Sequence, residues 1–182
     1  MEESRNNKED KKKVSEVKIF PVPFSPKVIK EKITTNTLSE TSKGEIIDLA
    51  FTFHSKGNIL EAARYYQYFI DQGFNDHRVF SNYGVILKNF GQLKEAEKLT
   101  RKAIELRPTY AMAYHNLGNI LKDLGELKRA EISQRKAIKL NPDFAEAYSN
   151  LGNILQNLGN LQEAESSQRK AIELNPHSAN AY

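Results

Sequence analysis

Hydrophobic, small and polar residues recur along most of this chain with a period of 34 residues. Residues 111–144 and 145–178 are identical at 23 of 34 positions. The recurring positions are Tyr114, Tyr148 and Tyr182, preceded by Phe80; Gly84, Gly118 and Gly152; Gly57, Gly91, Gly125 and Gly159; Ala62, Ala96, Ala130 and Ala164; and Pro108, Pro142 and Pro176. A fixed period of this length indicates a repeat protein, in which each unit packs only on its neighbours.

Within each unit, the apolar positions predict two helices. In the unit at 111–144, the first apolar stripe has steps of three and four residues, which is the period of one helical face. It consists of Tyr114, Leu117, Gly118 and Leu121. Gly125 is typical of the residue after a helix, where positive φ is needed. The second stripe consists of Leu127, Ala130, Ala137 and Ile138, and it ends at Asn141-Pro142 because the residue before proline disfavours the α conformation.

Three pairs of residues have the spacing of a capping box, which marks the start of a helix. They are Ser42 with Glu45, Asn58 with Glu61, and Asn160 with Glu163. A glycine also recurs inside the first helix of the last three units, at Gly84, Gly118 and Gly152. A helical glycine costs about 1 kcal/mol relative to alanine, so its recurrence indicates that two helices approach closely. We therefore predict that Gly118 faces Ala130.

These patterns divide the chain into four helix pairs, at 43–76, 77–110, 111–144 and 145–178, with 179–182 as the start of a truncated fifth unit. No polar cap follows the last unit, so we expect the C-terminal portion to be missing or this face to self-associate. We predict that residues 1–42 form a disordered, charged tail. Within it, 18–26 (KIFPVPFSP) is held extended by its prolines. It either packs on the aromatic first unit or serves as a flexible linker.

The 34-residue pattern resembles the tetratricopeptide repeat, in which an aromatic residue, Leu-Gly, a second Leu or Tyr, and then Ala, Ala and Pro recur at these spacings. The resemblance covers about residues 44–182. It implies an all-α fold, a right-handed α-solenoid whose first helices line a concave, peptide-binding groove. One departure is the second-helix position where the family favours an aromatic residue. This position is Tyr66 in the first unit and then Thr100, Gln134 and Gln168, which predicts looser packing.

Composition narrows the choice of function. The chain has no cysteine, which excludes disulfides and thiolate chemistry and suits a reducing, cytoplasmic setting. No apolar run reaches the roughly 20 residues that cross a membrane. Residues 1–43 hold 10 basic and 7 acidic residues, a net +3, and the other 139 residues hold 17 and 16, a net +1. The repeats therefore lack the basic face of a nucleic-acid binder.

Asparagine recurs on the first helices although it is a poor helix former. Asn82, Asn116 and Asn150 are spaced by 34 residues, and Asn119 and Asn153 follow the last two by three residues, with Lys88 and Lys122 further along. A carboxamide can donate to and accept from a peptide main chain. The array of O-linked N-acetylglucosamine transferase is similar, since it carries an asparagine ladder in its groove. The alternative is that these asparagines reflect consensus drift or bond to adjacent helices.

A second series, Arg101, Arg135 and Arg169, follows Glu97, Glu131 and Glu165 by four residues, the favourable order for helical ion pairs on a solvated face. No catalytic motif, metal-ligand set or cofactor motif occurs. The sequence therefore predicts a scaffold that binds proteins or extended peptides. The alternative is the substrate-recruiting arm of a larger transferase: a protein glycosyltransferase or, less favoured, a sulfotransferase or methyltransferase.

Overall fold

The computed structural model describes residues 42–176, which form eight α-helices and no strands. The helices are α1 Lys43–Ser55, α2 Ile59–Asp71, α3 His77–Asn89, α4 Leu93–Leu106, α5 Ala111–Asp123, α6 Leu127–Leu140, α7 Ala145–Asn157 and α8 Leu161–Leu174. The predicted all-α fold is confirmed. The predictions for the N-terminal tail up to residue 41, for segment 18–26 and for the fifth unit at 179–182 concern residues outside the described range.

The helices pack as four pairs, α1 with α2, α3 with α4, α5 with α6, and α7 with α8. Each second helix also contacts the first helix of the next pair, so the four pairs stack into an α-solenoid. Helix α5 additionally contacts both α3 and α7, whereas neighbouring second helices make no comparable contact within residues 42–176. The first helices therefore lie on the inner side of the stack. Over this range no helix combines the length and hydrophobicity needed to span a bilayer.

A glycine turn joins the two helices of each pair, as predicted for Gly125. Gly125 has φ 79°, a conformation that costs a residue with a Cβ far more. Its N–H donates to the carbonyl of Lys122 (2.9 Å), and the N–H of Glu126 donates back to the carbonyl of Leu121 (2.8 Å). These two bonds form a Schellman motif, which satisfies carbonyls at the helix end.

Only one of the three predicted capping boxes forms. Ser42 Oγ accepts from the N–H of Glu45 (3.3 Å), and the Glu45 carboxylate accepts from the N–H of Ser42 (2.7 Å). The capping boxes predicted at Asn58 and Asn160 are wrong, because neither side chain makes a capping hydrogen bond. Both residues belong to the glycine turn, and their ψ of 65° departs from the extended backbone of an N-cap.

Ion pairs cover the outer face, which is formed by the second helices. The three predicted pairs within helices are confirmed: Arg101 with Glu97 (2.9 Å), Arg135 with Glu131 (2.9 Å) and Arg169 with Glu165 (2.6 Å). Two further pairs join neighbouring repeats, Arg129 with Glu97 (3.0 Å) and Arg135 with Glu163 (2.6 Å). The outer face is thus a network in which these basic side chains already have acidic partners.

Candidate peptide-binding face

The residues predicted to bind a peptide lie on the first helices, and we call the side of α3, α5 and α7 that carries them the inner face. They are Asn82, Asn116, Asn119, Asn150, Asn153, Lys88 and Lys122. The structure divides them into three groups by what their side chains contact. Two of the asparagines bond to the preceding repeat, two bond to the second helix of their own repeat, and Asn150 and the lysines form the remainder.

Asn82 and Asn116 join neighbouring repeats. Asn82 donates from Nδ2 to the hydroxyl of Tyr66 on α2 (3.3 Å). Asn116, which is only 8% exposed, donates from Nδ2 to Oγ of Ser81 on α3 (3.0 Å). Neither carbonyl oxygen accepts a hydrogen bond within residues 42–176. Each side chain therefore commits one amide N–H to the fold, and an oxygen acceptor remains on it.

Asn150 occupies the equivalent position on α7 but makes no hydrogen bond within the described residues. The position that Ser81 fills on α3 is taken on α5 by His115, whose ring packs on Phe144 with centroids 4.8 Å apart. The Asn119 amide already lies against Nε2 of this imidazole (3.1 Å). The half-buried carboxamide of Asn150 thus keeps both its donor and its acceptor.

Asn119 and Asn153 each accept a hydrogen bond from a glutamine on the paired second helix. Gln134 donates from Nε2 to Oδ1 of Asn119 (3.0 Å) and to the main-chain carbonyl of His115 (3.2 Å). Gln168 bonds in the same way to Oδ1 of Asn153 (2.8 Å) and to the carbonyl of Ser149 (3.1 Å). Asn153 is exposed, and its amide nitrogen has no acceptor within residues 42–176.

The packing predicted for Gly118 needs correction, because Gln134 lies against this glycine. A Cβ placed on Gly118 would meet Nε2 of Gln134 at 2.6 Å, and the three nearest atoms all belong to this side chain rather than to Ala130. The glycine makes room for a glutamine whose amide reaches the first helix. The glutamine fills the position where the repeat favours an aromatic residue. Looser packing was predicted here, and the structure instead shows a polar side chain in place of an aromatic one.

The asparagine–glutamine pairs were not predicted from the sequence, although a comparison of the repeats indicates them. The two positions change together from unit to unit: Phe51 with Tyr66, Val85 with Thr100, Asn119 with Gln134, and Asn153 with Gln168. An aromatic or aliphatic residue on the first helix accompanies an aromatic residue or threonine on the second. Asparagine accompanies glutamine, because each carboxamide satisfies the other.

The two lysines differ in their surroundings. Lys88 Nζ lies 3.7 Å from the carboxylate of Asp123 on the next repeat, at the outer limit of an ion pair. Lys122 is half-buried and makes no ion pair within the part of the chain that the structure describes. It lies one turn beyond Asn119 on the same helix, so it adds an uncompensated positive charge to the inner face of the third repeat.

A buried tyrosine hydroxyl lies at the other end of the inner face. Tyr66 is fully buried, and its hydroxyl lies 2.9 Å from Nδ1 of His54 as well as near Asn82. Burial raises the pKa of Tyr66 to about 12, although the hydrogen bond with Asn82 works to lower it. Tyr66 therefore stays neutral and shares a hydrogen bond with His54. Burial lowers the pKa of His54.

The inner face is suited to binding neutral polar groups. It presents the amide of Asn153, the carboxamide of Asn150, the unused oxygens of Asn82 and Asn116, and one lysine. Within residues 42–176, no cluster of three or more His, Asp or Glu side chains could hold a metal ion. Donors and acceptors in a row match the alternating N–H and C=O groups of an extended main chain.

Comparison with known proteins places this arrangement in a family. A sequence model of the tetratricopeptide repeat matches residues 77–110, 111–144 and 145–178, which is more than half of the chain, and a second model of this repeat matches 45–70. A search of curated protein sequences found no match.

Several solved structures share the fold. The crystal structure of MamA has a TM-score of 0.68 at 23% identity and covers 85% of this chain and 86% of its own. A MamA structure from Desulfovibrio magneticus RS-1 has a TM-score of 0.65 at 24% identity, covering 76% and 78%. YrrB, described as a TPR protein with an unusual peptide-binding site, has a TM-score of 0.67 at 22% identity, covering 77% and 72%. The chain belongs to the tetratricopeptide repeat family and is a protein-interaction scaffold.

Proposed function

We propose that the inner face binds an extended peptide segment of a partner protein, mainly through the main chain of that segment. The observation that carries the proposal is the unsatisfied hydrogen-bonding capacity of Asn150 and Asn153. Their side chains lie three residues apart on α7, which places them on one helical face. A side chain that does not bond within the fold is available to a ligand.

The acceptors of Asn82 and Asn116 extend this surface toward the first repeat. Since their amide donors bond to Tyr66 and Ser81, the carboxamides are held in fixed orientations. Each oxygen can then accept from a ligand N–H without first losing rotamer freedom. We assign Lys122 to an acidic group or a main-chain carbonyl of the ligand, and Lys88 to a weaker contact because Asp123 competes for it.

The expected affinity is modest. A neutral hydrogen bond contributes roughly 0.5–1.5 kcal/mol net, so a handful of them gives a dissociation constant of about micromolar or weaker. The bound segment should tolerate side-chain changes, because the contacts are to its main chain. Selectivity then depends on Lys122 and on a second binding element elsewhere in the partner.

The test begins with a peptide selected on the wild-type chain from a random library, with its affinity measured by calorimetry. The double variant Asn150→Ala/Asn153→Ala should bind it at least about fivefold more weakly, which corresponds to about 1 kcal/mol. Its melting temperature should change little, since these side chains make one hydrogen bond between them within the described residues. N-methylation at alternate main-chain positions of the peptide should also weaken binding.

A matched control lies on the outer face. Arg101→Ala/Lys102→Ala removes exposed side chains from α4 and should leave the affinity unchanged. Equal binding by the wild-type chain and the Asn150/Asn153 variant would refute the proposal. So would a peptide that loses affinity only on the outer-face change.

The alternative role, as the recruiting arm of a protein glycosyltransferase or of another larger transferase, uses the same surface in the same way. The equivalent positions of Asn82, Asn116 and Asn150 support it. This role predicts that the selected peptide is also a substrate of a transferase domain carried by the same protein. A glycosylation assay on that peptide with the complete protein tests it separately from binding.

A further inference from the structure

His115 lies in a buried polar cluster that no role in peptide binding accounts for. It is 8% exposed, although the equivalent residues of the second and fourth repeats are the serines Ser81 and Ser149. Nδ1 of His115 and Oε1 of Gln134 are buried without a hydrogen-bond partner within residues 42–176. Both atoms belong to this one cluster, and a buried polar atom without a hydrogen bond is costly.

The hydrogen bonds around the ring fix its tautomer. Gln134 must turn its amide nitrogen toward the main-chain carbonyl of His115, since that carbonyl can only accept (3.2 Å). The same nitrogen donates to Oδ1 of Asn119 (3.0 Å), so the amide of Asn119 faces Nε2 of His115 (3.1 Å). Nε2 is consequently the acceptor, the proton resides on Nδ1, and the imidazole is neutral.

We propose that His115 makes the third repeat sensitive to pH, because a proton taken up at Nε2 opposes the amide of Asn119 and forces that carboxamide to turn and release Gln134. Two donors then face each other across the 3.1 Å that separates Nε2 from the Asn119 amide. Turning the carboxamide restores a hydrogen bond to the ring. It also presents an N–H₂ group to Gln134, where an oxygen stood before.

Burial, rather than a neighbouring charge, sets the preference of the ring for its neutral form. Lys88 of α3 and Glu146 of α7 act on it from opposite sides with opposite signs, and α6 contributes the uncharged Gln134. Burial has the largest effect and lowers the pKa of His115, Gln134 and Glu146 work to raise it, and Lys88 works to lower it. The pKa of His115 is lowered overall. The folded chain therefore prefers the neutral ring, and the unfolded chain binds the proton more readily.

The sign of the pH dependence follows from this preference. A group with a lowered pKa in the folded state contributes its full stability above the unfolded value of about 6.5. That contribution is lost progressively as the pH falls below 6.5. The ring also packs on Phe144, which precedes α7, so the loss extends to the contact between the third and fourth repeats.

The experiment is an NMR titration of the full chain between about pH 5 and pH 8, a range that brackets histidine ionisation. The His115 ring signals should show a midpoint below 6.5. The side-chain amide signals of Asn119 and Gln134 should shift with the same midpoint. Asn153 and Gln168 form the same pair beside Ser149 and serve as the internal control, whose signals should not follow it.

The matched variant is His115→Ser, which installs the residue found at this position in the second and fourth repeats. Its melting temperature should fall less between about pH 7.5 and pH 5.5 than that of the wild-type chain. His54, His77 and His177 remain in both chains, so the difference isolates His115. A midpoint at or above 6.5, or an equal loss in both chains, would overturn the proposal. Should the variant not fold, the titration of the wild-type chain decides alone.

None of these measurements uses a peptide ligand. Their results therefore do not depend on the function proposed for the inner face.

Discussion

The second and third repeats have the same backbone arrangement but fill the space between their helices with different chemistry. In the second repeat, Thr100 lies against Gly84, and its buried hydroxyl has no hydrogen-bond partner within residues 42–176. In the third repeat, the longer Gln134 lies against Gly118 and bonds to Asn119 and to a main-chain carbonyl. The second repeat is thus held mainly by tight packing, whereas the third is held by a buried hydrogen-bond network.

This difference shows that one position can be filled in two ways if its neighbours change with it. A short side chain needs close helix approach and little else. A glutamine needs partners for its amide, because a buried carboxamide without hydrogen bonds costs several kcal/mol. The variants below test the two kinds of packing by changing one repeat and using another as the control.

The largest expected effect comes from Gly84→Ala. The added Cβ would lie 2.5 Å from Oγ1 of Thr100 and 3.2 Å from the carbonyl oxygen of Ala96. Thr100 is short and fully buried, and the carbonyl belongs to the main chain, so neither can move aside. Overpacking of this kind costs about 3 kcal/mol, more than the roughly 1 kcal/mol that alanine gains in a helix. Chemical denaturation measures the loss.

Gly152→Ala is the control for that experiment. Its Cβ would meet only the flexible and partly exposed Gln168 side chain among its three nearest atoms, with Nε2 at 2.7 Å and Cδ and Cγ at 2.9 Å. That side chain can swing toward solvent, so the variant should lose less than half as much stability as Gly84→Ala. Equal losses would show that the second repeat is not packed more tightly than the fourth.

The next effect tests whether the polar residues of the third repeat act as a unit. Gln134→Thr removes two hydrogen bonds and leaves a space, but it also removes the unpartnered Oε1, so it should cost about 1.5 kcal/mol. The triple variant His115→Ser/Asn119→Val/Gln134→Thr installs the second repeat's residues Ser81, Val85 and Thr100. It should be more stable than the sum of its single changes by about 1 kcal/mol or more, as expected for coupled sites.

Thermal or denaturant unfolding of the three single variants and the triple variant gives this coupling directly. If the losses in stability of the single variants add up to that of the triple variant, the three side chains are not energetically coupled.

A smaller effect concerns the joints between repeats. Ser81→Ala removes the acceptor for the buried amide of Asn116 and should cost about 1 kcal/mol. Ser149→Ala, two repeats further on, removes a hydroxyl that makes no hydrogen bond within residues 42–176 and should be nearly neutral. The comparison is made by denaturant unfolding of the two variants in parallel. A cost at Ser149 equal to that at Ser81 would contradict the hydrogen-bonded joint.

The periodic features of the fold could be predicted from the sequence because they depend on local rules. The glycine turn at Gly125 needs a positive φ, and the Glu97–Arg101 pair needs only a four-residue step on one helix. Both follow from a few neighbouring residues. The capping boxes at Asn58 and Asn160 were wrong although the spacing was right, because the glycine turn sets the backbone of the residue that follows it.

The roles of the asparagines could not be predicted in the same way. Asn82, Asn116 and Asn150 are equivalent in sequence, yet they bond to a tyrosine, to a serine and to no described residue. The hydrogen bond that each asparagine makes depends on the side chain that the preceding repeat places next to it. That side chain belongs to another helix, so spacing along one helix does not reveal it. A comparison of the repeats position by position would have exposed the pairing of Asn119 with Gln134.

The smallest expected effect lies on the outer face, where the second and third repeats are joined by Arg129 and Glu97. Arg129→Ala should cost no more than about 1 kcal/mol, because the side chain is half exposed and exposed ion pairs contribute little. Arg129 also contacts Glu126 on its own repeat, so removing it releases two carboxylates. The loss should shrink in about 1 M salt, which shortens the screening length to about 3 Å.

Arg101→Ala is the matched control, since Arg101 pairs with the same Glu97 but from the same helix. Although partial burial works to raise it, the pKa of Glu97 is lowered by the hydrogen bond from Arg101 and by the charges of Arg101, Arg129 and Lys94. Both variants should therefore raise that pKa, and NMR titration of the carboxyl group measures it. Only Arg129→Ala should also weaken the contact between repeats, as seen in faster amide hydrogen exchange across α4 and α6. If both variants speed exchange equally, the outer ion pairs stabilise single helices and contribute nothing to the stacking of one repeat on the next.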